Sequence, residues 1–314
     1  MKVENLKVYF PIKSGILKRT RSYVKAVDDV SFYMQKGETV AIVGESGCGK
    51  STLGKAIAQL IPKTSGNICF QNQRLEVKTK ESLRAMRRKL QIIFQDPYAS
   101  MNPKLMIKDI LAEGLKAQKL YRNKQALNTR LGELLNQVNL PESALEQYPH
   151  EFSGGQRQRV AIARALSVSP DFIICDEPSS ALDISVQAQI LNLLNQLKKE
   201  FGLTYLFITH DLSVVSYIAD RVMVMYLGKI VEQGFVQDVL KNAKHPYTQA
   251  LLASAPEVGK TLQVANMSGE LPSPMNPPLG CAYHPRCPLA DSSCKKSVPE
   301  LKGNLWQVAC HKVV

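Results

Sequence analysis

Nowhere in the 314 residues does an apolar run reach the about 18 residues that a membrane-spanning helix needs, so no segment can satisfy a bilayer by itself. The opening Met1-Lys2-Val3-Glu4-Asn5-Leu6 alternates polar and apolar residues. It lacks the apolar stretch and small-residue cleavage site of a secretory signal, which argues against export. Internal repeats and low-complexity tracts are missing too, and disorder is not expected of a chain with 45% hydrophobic residues. The basic clusters Lys13 to Lys25 and Lys78 to Lys89 are not interleaved with the aromatics of a single-stranded nucleic acid platform. A guanine-reading Asn-Lys-x-Asp is also absent, because Asn123-Lys124-Gln125-Ala126 fails at its fourth position.

What is present suits one large α/β core with a smaller appendage. The net charge of +13 leaves three readings open: solvated surface, nucleic acid, or the anionic cytoplasmic leaflet, where a nearby basic residue gains about 1 kcal/mol. Thr39 to Val43, Phe172 to Cys175 and Tyr205 to Ile208 have the length and β-branched or aromatic enrichment of buried parallel strands. Arg130 to Val138 and Val186 to Leu197 repeat Leu and Ile at helical spacing. The alternation predicts an open α/β sheet with its ligands at the carboxyl ends of the strands. Residues 97 to about 155 read as an inserted helical subdomain without a buried strand. Arg221 to Tyr226 and Lys229 to Gln233 read as a hairpin around Leu227-Gly228. From His245 onward prolines accumulate, among them Pro246, Pro256, Pro272 and Pro285, so 245–314 is expected to be a small Cys/Pro-rich C-terminal module after a 1–244 domain.

The chemistry begins at Gly44-Glu45-Ser46-Gly47-Cys48-Gly49-Lys50-Ser51, between the strand at Thr39 to Val43 and a helix-capable stretch from Thr52 to Leu60. This is the context in which a Gly-x4-Gly-Lys-Ser pattern binds phosphate. Glycines let backbone N–H groups turn inward, Lys50 reaches the outer phosphates and the Ser51 hydroxyl can ligate Mg²⁺. Phe172 to Cys175 runs into Asp176-Glu177, which places two carboxylates at a strand end. Asp176 suits the Mg²⁺ shell and Glu177 suits polarising an attacking water, although an Asp-Glu at a strand end can also be a helix cap or solvated turn. Ser153-Gly154-Gly155-Gln156 precedes the helix-capable Arg157 to Leu166 and offers a second anion-binding helix start; read plainly, it is a cap and a turn.

Taken in order, these elements resemble the ATP-binding cassette family over about residues 1 to 240. The set is completed by Gln95 after Ile92-Ile93-Phe94, by Ser180-Ala181-Leu182-Asp183, and by His210 after Tyr205 to Thr209. The resemblance implies a P-loop NTPase core and a head-to-tail dimer, with ATP held between one chain's phosphate loop (Gly44 to Thr52) and the partner's Ser153 to Gln156. It implies catalysis by Glu177, His210, Gln95 and Lys50, Mg²⁺ held through Ser51, Gln95 and Asp176, and Asp183 at the dimer seam. An aromatic ring stacks on adenine in this family, with Phe10 the best placed here and Tyr9 or Tyr23 as alternatives. Gln95 to Pro103, His245 to Leu252 and Gly280 to Pro288 are further similar to ATPases of bacterial dipeptide and oligopeptide importers, a group that includes some nickel importers. That similarity implies a related second ATPase chain, two membrane permeases, an extracytoplasmic binding protein, and a peripheral place at the cytoplasmic face of the membrane. No nucleic acid partner is expected. The competing class, a soluble cassette protein acting on nucleic acid or the ribosome, would carry two cassettes or a long coiled-coil insertion, and neither is seen.

Of seven cysteines, Cys281, Cys287, Cys294 and Cys310 crowd the end of the chain. In a reducing compartment that grouping suggests metal before disulfide, and the spacings are too wide for the paired C-x2-C knuckles of a zinc ribbon. Resemblance to the peptide-importer ATPases suggests a [4Fe–4S] cluster. Zinc, with His284 or His311 replacing one thiol, and four reduced cysteines without metal remain the alternatives.

Overall fold

The computed structural model describes residues 1–14, 19–75, 79–254 and 270–313. Lys78, Pro256 and the centre of the Lys13 to Lys25 cluster lie outside the described residues. The chain forms two compact units, one of residues 1–34, 39–74 and 208–314, the other of 35–38 and 75–207.

The first unit begins with two long antiparallel strands, β1 (Lys2–Ser14) and β2 (Arg19–Tyr33). After β3 (Thr39–Val43) and α1 (Lys50–Ile57), β4 (Ser65–Phe70) and β5 (Gln73–Arg74) complete a sheet of order β2-β1-β4-β5. A second layer orders its strands β11-β10-β9-β3. It comprises β9 (Arg221–Tyr226), parallel to β3, the antiparallel β10 (Lys229–Phe235), and the short β11 (Gln307–Val308). Every residue of β3 and β9 is buried, as their uninterrupted apolar runs require of a strand covered on both faces.

The tail is built into this unit, not set apart from it. Tyr247, Cys281, Tyr283 and Cys294 share one core with Val43, Val224 and Val231. The fully buried Glu232 carboxylate on β10 accepts hydrogen bonds from the Lys244 and His245 N–H groups at 2.9 and 3.0 Å and from Trp306 Nε1 at 2.8 Å. A buried acid demands such partners, and here the tail supplies two of the three, from His245 and Trp306. The segment from Pro246 to Ala253 is helical, and a second short helix spans Ser292–Lys296.

The second unit opens with a helix at Lys80–Lys89, followed by β6 (Leu90–Ile93) and the helices Ile107–Gln118 and Lys124–Gln137. Short 3₁₀ turns at Glu142–Glu146 and Pro149–Glu151 lead into the helix Gly154–Leu166. Parallel to β6 runs β7 (Phe172–Asp176), then comes the long helix Ile184–Phe201, and β8 (Thr204–Ile208) lies next to β7 in the sheet. Among the described residues of 97–155 there is no strand. Apolar residues at helical spacing, Ile107, Ile110, Leu111 and Leu115 on one helix and Leu131, Leu134 and Leu135 on the next, are all buried. No described helix is long and apolar enough to cross a membrane.

Candidate functional site

In the first unit the phosphate loop follows β3 directly. Gly44 has φ +150° and Gly49 φ +110°, backbone conformations that disfavour a side chain. A Cβ on Gly44 would lie 2.2 Å from the Met225 carbonyl oxygen, and one on Gly49 would lie 2.0 Å from that of Ala26. The loop is thus wedged between β9 and β2, and only glycine fits at either end. The ammonium of the buried Lys50 donates to the Gly44 and Glu45 carbonyls at 2.7 and 2.9 Å, spanning the loop's entrance. Cys48 Sγ is 3.9 Å from the same ammonium, and burial pushes this thiol's pKa up, so it stays protonated.

Beside the loop stands the β9–β10 turn, whose Gly228 N–H donates to the Cys48 carbonyl at 2.9 Å while its carbonyl accepts from the Asp28 N–H. Thr209 donates its N–H to the Ile42 carbonyl, which sets the exposed His210 one residue beyond a bond to the strand that carries the loop. Of the aromatic candidates, Tyr9 commits its hydroxyl to Asp28, and burial together with that bond raises its pKa, whereas Phe10 and Tyr23 are 40% and 49% exposed.

In the second unit Asp176 is buried at the end of β7, and Glu177 follows in a left-handed conformation, φ +47°. That conformation is costly for a residue with a side chain, and such strain gathers at functional turns. Gln95 Nε2 donates to Glu177 Oε2 at 3.1 Å, so two residues far apart in sequence meet. Ser153 caps the helix Gly154–Leu166 reciprocally: its Oγ accepts from the Gln156 N–H at 3.3 Å and Gln156 Oε1 accepts from the Ser153 N–H at 2.9 Å. Ser153, Gly154 and Gln156 are exposed, while Gly155 is buried where a Cβ would meet Val186 at 2.4 Å. Asp183 is exposed at the N-terminus of Ile184–Phe201, next to an Ile184 that is 87% exposed. A cleft of about 180 Å³ lined by Gln95, Tyr98, Gly154, Arg157 and Leu182 adjoins this surface.

Ser51 in the first unit and Asp176 in the second each carry an oxygen donor of the kind that Mg²⁺ takes, an ion that completes its shell with water and substrate phosphates. The cysteines fit their expected role less well. Burial raises the pKa values of Cys281 and Cys287, and Cys287, Cys294 and Cys310 all lie near enough to Cys281 to act on it. Yet among the described residues no three His, Cys, Asp or Glu side chains stand in metal-holding geometry, and all seven cysteines are free. His284 Nδ1 and His311 Nε2 each bond a backbone oxygen at 2.9 Å, of Cys281 and Ser297 respectively.

Two residues that sequence reasoning did not assign to the site touch the phosphate loop. The Tyr247 hydroxyl accepts from the Glu45 N–H at 2.8 Å, and Arg286 pairs with the Glu45 carboxylate at 2.9 Å. Nothing in the spacing of the sequence could pair positions 241 residues apart.

Known proteins resemble this chain along nearly its whole length. Residues 27–180 match the family model described as ABC transporter, and residues 231–294 match that of the oligopeptide/dipeptide transporter C-terminal region. The chain is 50% identical to the oligopeptide transport ATP-binding protein AppF of Bacillus subtilis, over 99% of this chain and 96% of that one. It is 46% identical to the OppF protein of Escherichia coli, an oligopeptide transport ATP-binding protein, over 100% of this chain and 96% of the relative. A dimeric post-hydrolysis structure of the ATP-binding cassette MJ0796, bound to ADP and Pi, superposes with a TM-score of 0.65 at 30% identity, covering 75% of this chain and 98% of that one. With a glycine-walled phosphate loop, a strand-end acid pair and near full-length identity of this order, the chain belongs to the ATP-binding cassette transporter ATPases, in the group that carries the oligopeptide/dipeptide C-terminal region.

Proposed function

We propose that the chain binds and hydrolyses ATP to energise import of di- and oligopeptides through a pair of membrane permeases. The observation that carries this is identity along nearly the whole chain, C-terminal region included, to proteins named for oligopeptide and dipeptide transport. Those names favour peptide over nickel as the solute class. Residues 1–244 act as the nucleotide-binding domain, about 97–155 as its helical subdomain, and 245–314 as the C-terminal module.

Phosphates are held by the loop Gly44 to Thr52 and by Lys50, and adenine stacks on Phe10. Ser51, Gln95 and Asp176 would hold Mg²⁺, which when bound would supply charge neutralisation at the phosphates. Glu177 polarises the attacking water, Gln95 steadies its carboxylate, and His210 holds the γ-phosphate. Little covalent work is asked of the protein, because fixed donors and the lysine meet charge as it develops. Ser153 to Gln156 serve the γ-phosphate bound to a second ATPase subunit, a related chain, and Asp183 lines the seam between them. The assembly sits peripherally at the cytoplasmic face of the membrane, and an extracytoplasmic binding protein feeds it.

For Cys281, Cys287, Cys294 and Cys310 we infer a [4Fe–4S] ligand set, supported by four mutually interacting thiols in a region with few regular elements. Binding would draw the thiols closer than they stand. Anaerobically prepared protein that is colourless and free of iron rejects this assignment.

The central experiment is recovery of the chain from solubilised membranes. Co-purification with permeases supports the reading; recovery with nucleic acid at moderate salt rejects it. In the same preparation Glu177→Gln should keep ATP binding and lower turnover about a thousandfold. Turnover within about twofold of the wild type would remove Glu177 from its role.

A further inference from the structure

Glu45 is the second residue of the phosphate loop, and an acid there is a liability, because a carboxylate beside a bound triphosphate repels it. Its side chain is 20% exposed, so solvent screens it poorly. The far end of the chain supplies both of its restraints. Arg286 Nη1 donates to Glu45 Oε2 at 2.9 Å from a guanidinium only 6% exposed. Tyr247 accepts the Glu45 N–H, which commits that amide to a protein partner. With Lys50 on its carbonyl, the amide, the carbonyl and the carboxylate of Glu45 each have a partner.

These anchors are held firmly in turn. Tyr247 is fully buried, edge-on to Tyr226 at 4.6 Å and tilted against Tyr283 at 5.3 Å. Arg286 stands 6.0 Å above the Tyr226 ring, and Tyr226 follows the Met225 whose carbonyl walls Gly44. Around the ion pair, Glu45 Oε1, Arg286 Nε and Tyr226 Oη are buried without a hydrogen bond among the described residues. A buried pair with orphaned atoms is a poor way to gain stability, since well-packed apolar side chains would serve as well or better. Its value must lie in what it does to the loop.

We propose that Tyr247 and Arg286 are positioning residues of the nucleotide site, which make the C-terminal region part of the ATP-binding apparatus: Tyr247 orients the phosphate loop and Arg286 cancels the charge of Glu45. The proposal rests on the reading that this loop binds ATP.

The test measures ATP dissociation constants on the full chain, with the melting temperature of each variant as a folding control. Arg286→Ala should weaken ATP about tenfold, because it leaves a buried carboxylate uncompensated. Arg286→Lys, which keeps the charge, should recover most of that loss. Adding Glu45→Gln to Arg286→Ala should also restore affinity to within about threefold of the wild type, since the charge to be cancelled is gone. Tyr247→Phe, which keeps the ring, should weaken ATP about fivefold with little change in melting temperature. A merely structural role would lower melting temperatures and leave affinities alone, and that result overturns the proposal. So does a double variant as weak as Arg286→Ala. Wild-type protein that does not bind ATP would instead fail the underlying reading, and the proposal with it.

Discussion

Two helices of this chain begin at glycine-rich turns, and the two starts are built in opposite ways. The helix Lys50–Ile57 has a left-handed glycine as its cap, no side-chain cap bond, and walls of main chain from β2 and β9 around it. Its N–H groups are held ready by rigid surroundings. The helix Gly154–Leu166 has a capping box that turns Ser153 and Gln156 onto each other's backbone, and Ser153, Gly154 and Gln156 are exposed. It satisfies itself until something replaces those bonds. An anion site meant for a resident ligand is preorganised, whereas one meant for a ligand brought by another chain needs a cap that can be given up. The contrast suits the proposal that the ligand of the second start arrives with a second ATPase subunit.

Altering the walls of the first start should have the largest effect. Gly49→Ala adds a Cβ 2.0 Å from the Ala26 oxygen at a φ of +110°. The combined overpacking and strain, on the order of 4 kcal/mol, corresponds to about a thousandfold in ATP affinity if the loop yields to accommodate it. Equilibrium ATP binding checks this, and unchanged affinity would show the loop to be pliable, which breaks the comparison. At the second start, Ser153→Ala should cost about 1 kcal/mol of stability. It should leave ATP binding by a single chain unchanged and lower turnover of the assembled ATPase about a hundredfold, as for one lost transition-state donor. Loss of ATP binding by the isolated chain would mean that both starts serve the same chain.

The strands β3, β7, β8 and β9 were legible because each is a short, largely apolar run that a covered strand buries well. The β9–β10 hairpin was legible because Leu227-Gly228 stands as a turn between two such runs. The long β1 and β2 were not. Their ladder shifts register between Val3 and Leu6, Leu6 and Val8, and Val8 and Tyr9, so the alternation at the start of the chain does not run on along the strands. Helix ends also slipped: α1 starts at Lys50 and stops before Gln59, which turns left-handed at φ +56°. At the site, glycines and acids announce their chemistry locally. The Gln95–Glu177 bond, the strain at Glu177 and the grip of Arg286 on Glu45 are products of packing, and only coordinates reveal them.

The tail that steadies the first start also ties it to pH. Buried His245 accepts the Tyr247 N–H on Nδ1 at 3.1 Å and so caps the helix that presents Tyr247 to Glu45. Burial depresses its pKa from 6.5 to about 4. The unfolded chain therefore binds a proton that the folded chain refuses. The stability this histidine contributes is complete above the unfolded value and is lost as pH falls towards the folded one. At about pH 5.5 the loss is roughly 1.4 kcal/mol, tenfold in the folding equilibrium. Denaturant unfolding at about pH 7.5 and 5.5 reads it directly, with His245→Asn as the control that should flatten the difference. If the wild type is equally stable at both values, His245 is reached by solvent. The loop's backing would then be looser than the closed core around Tyr247 indicates, and the two helix starts would differ less than their geometry says.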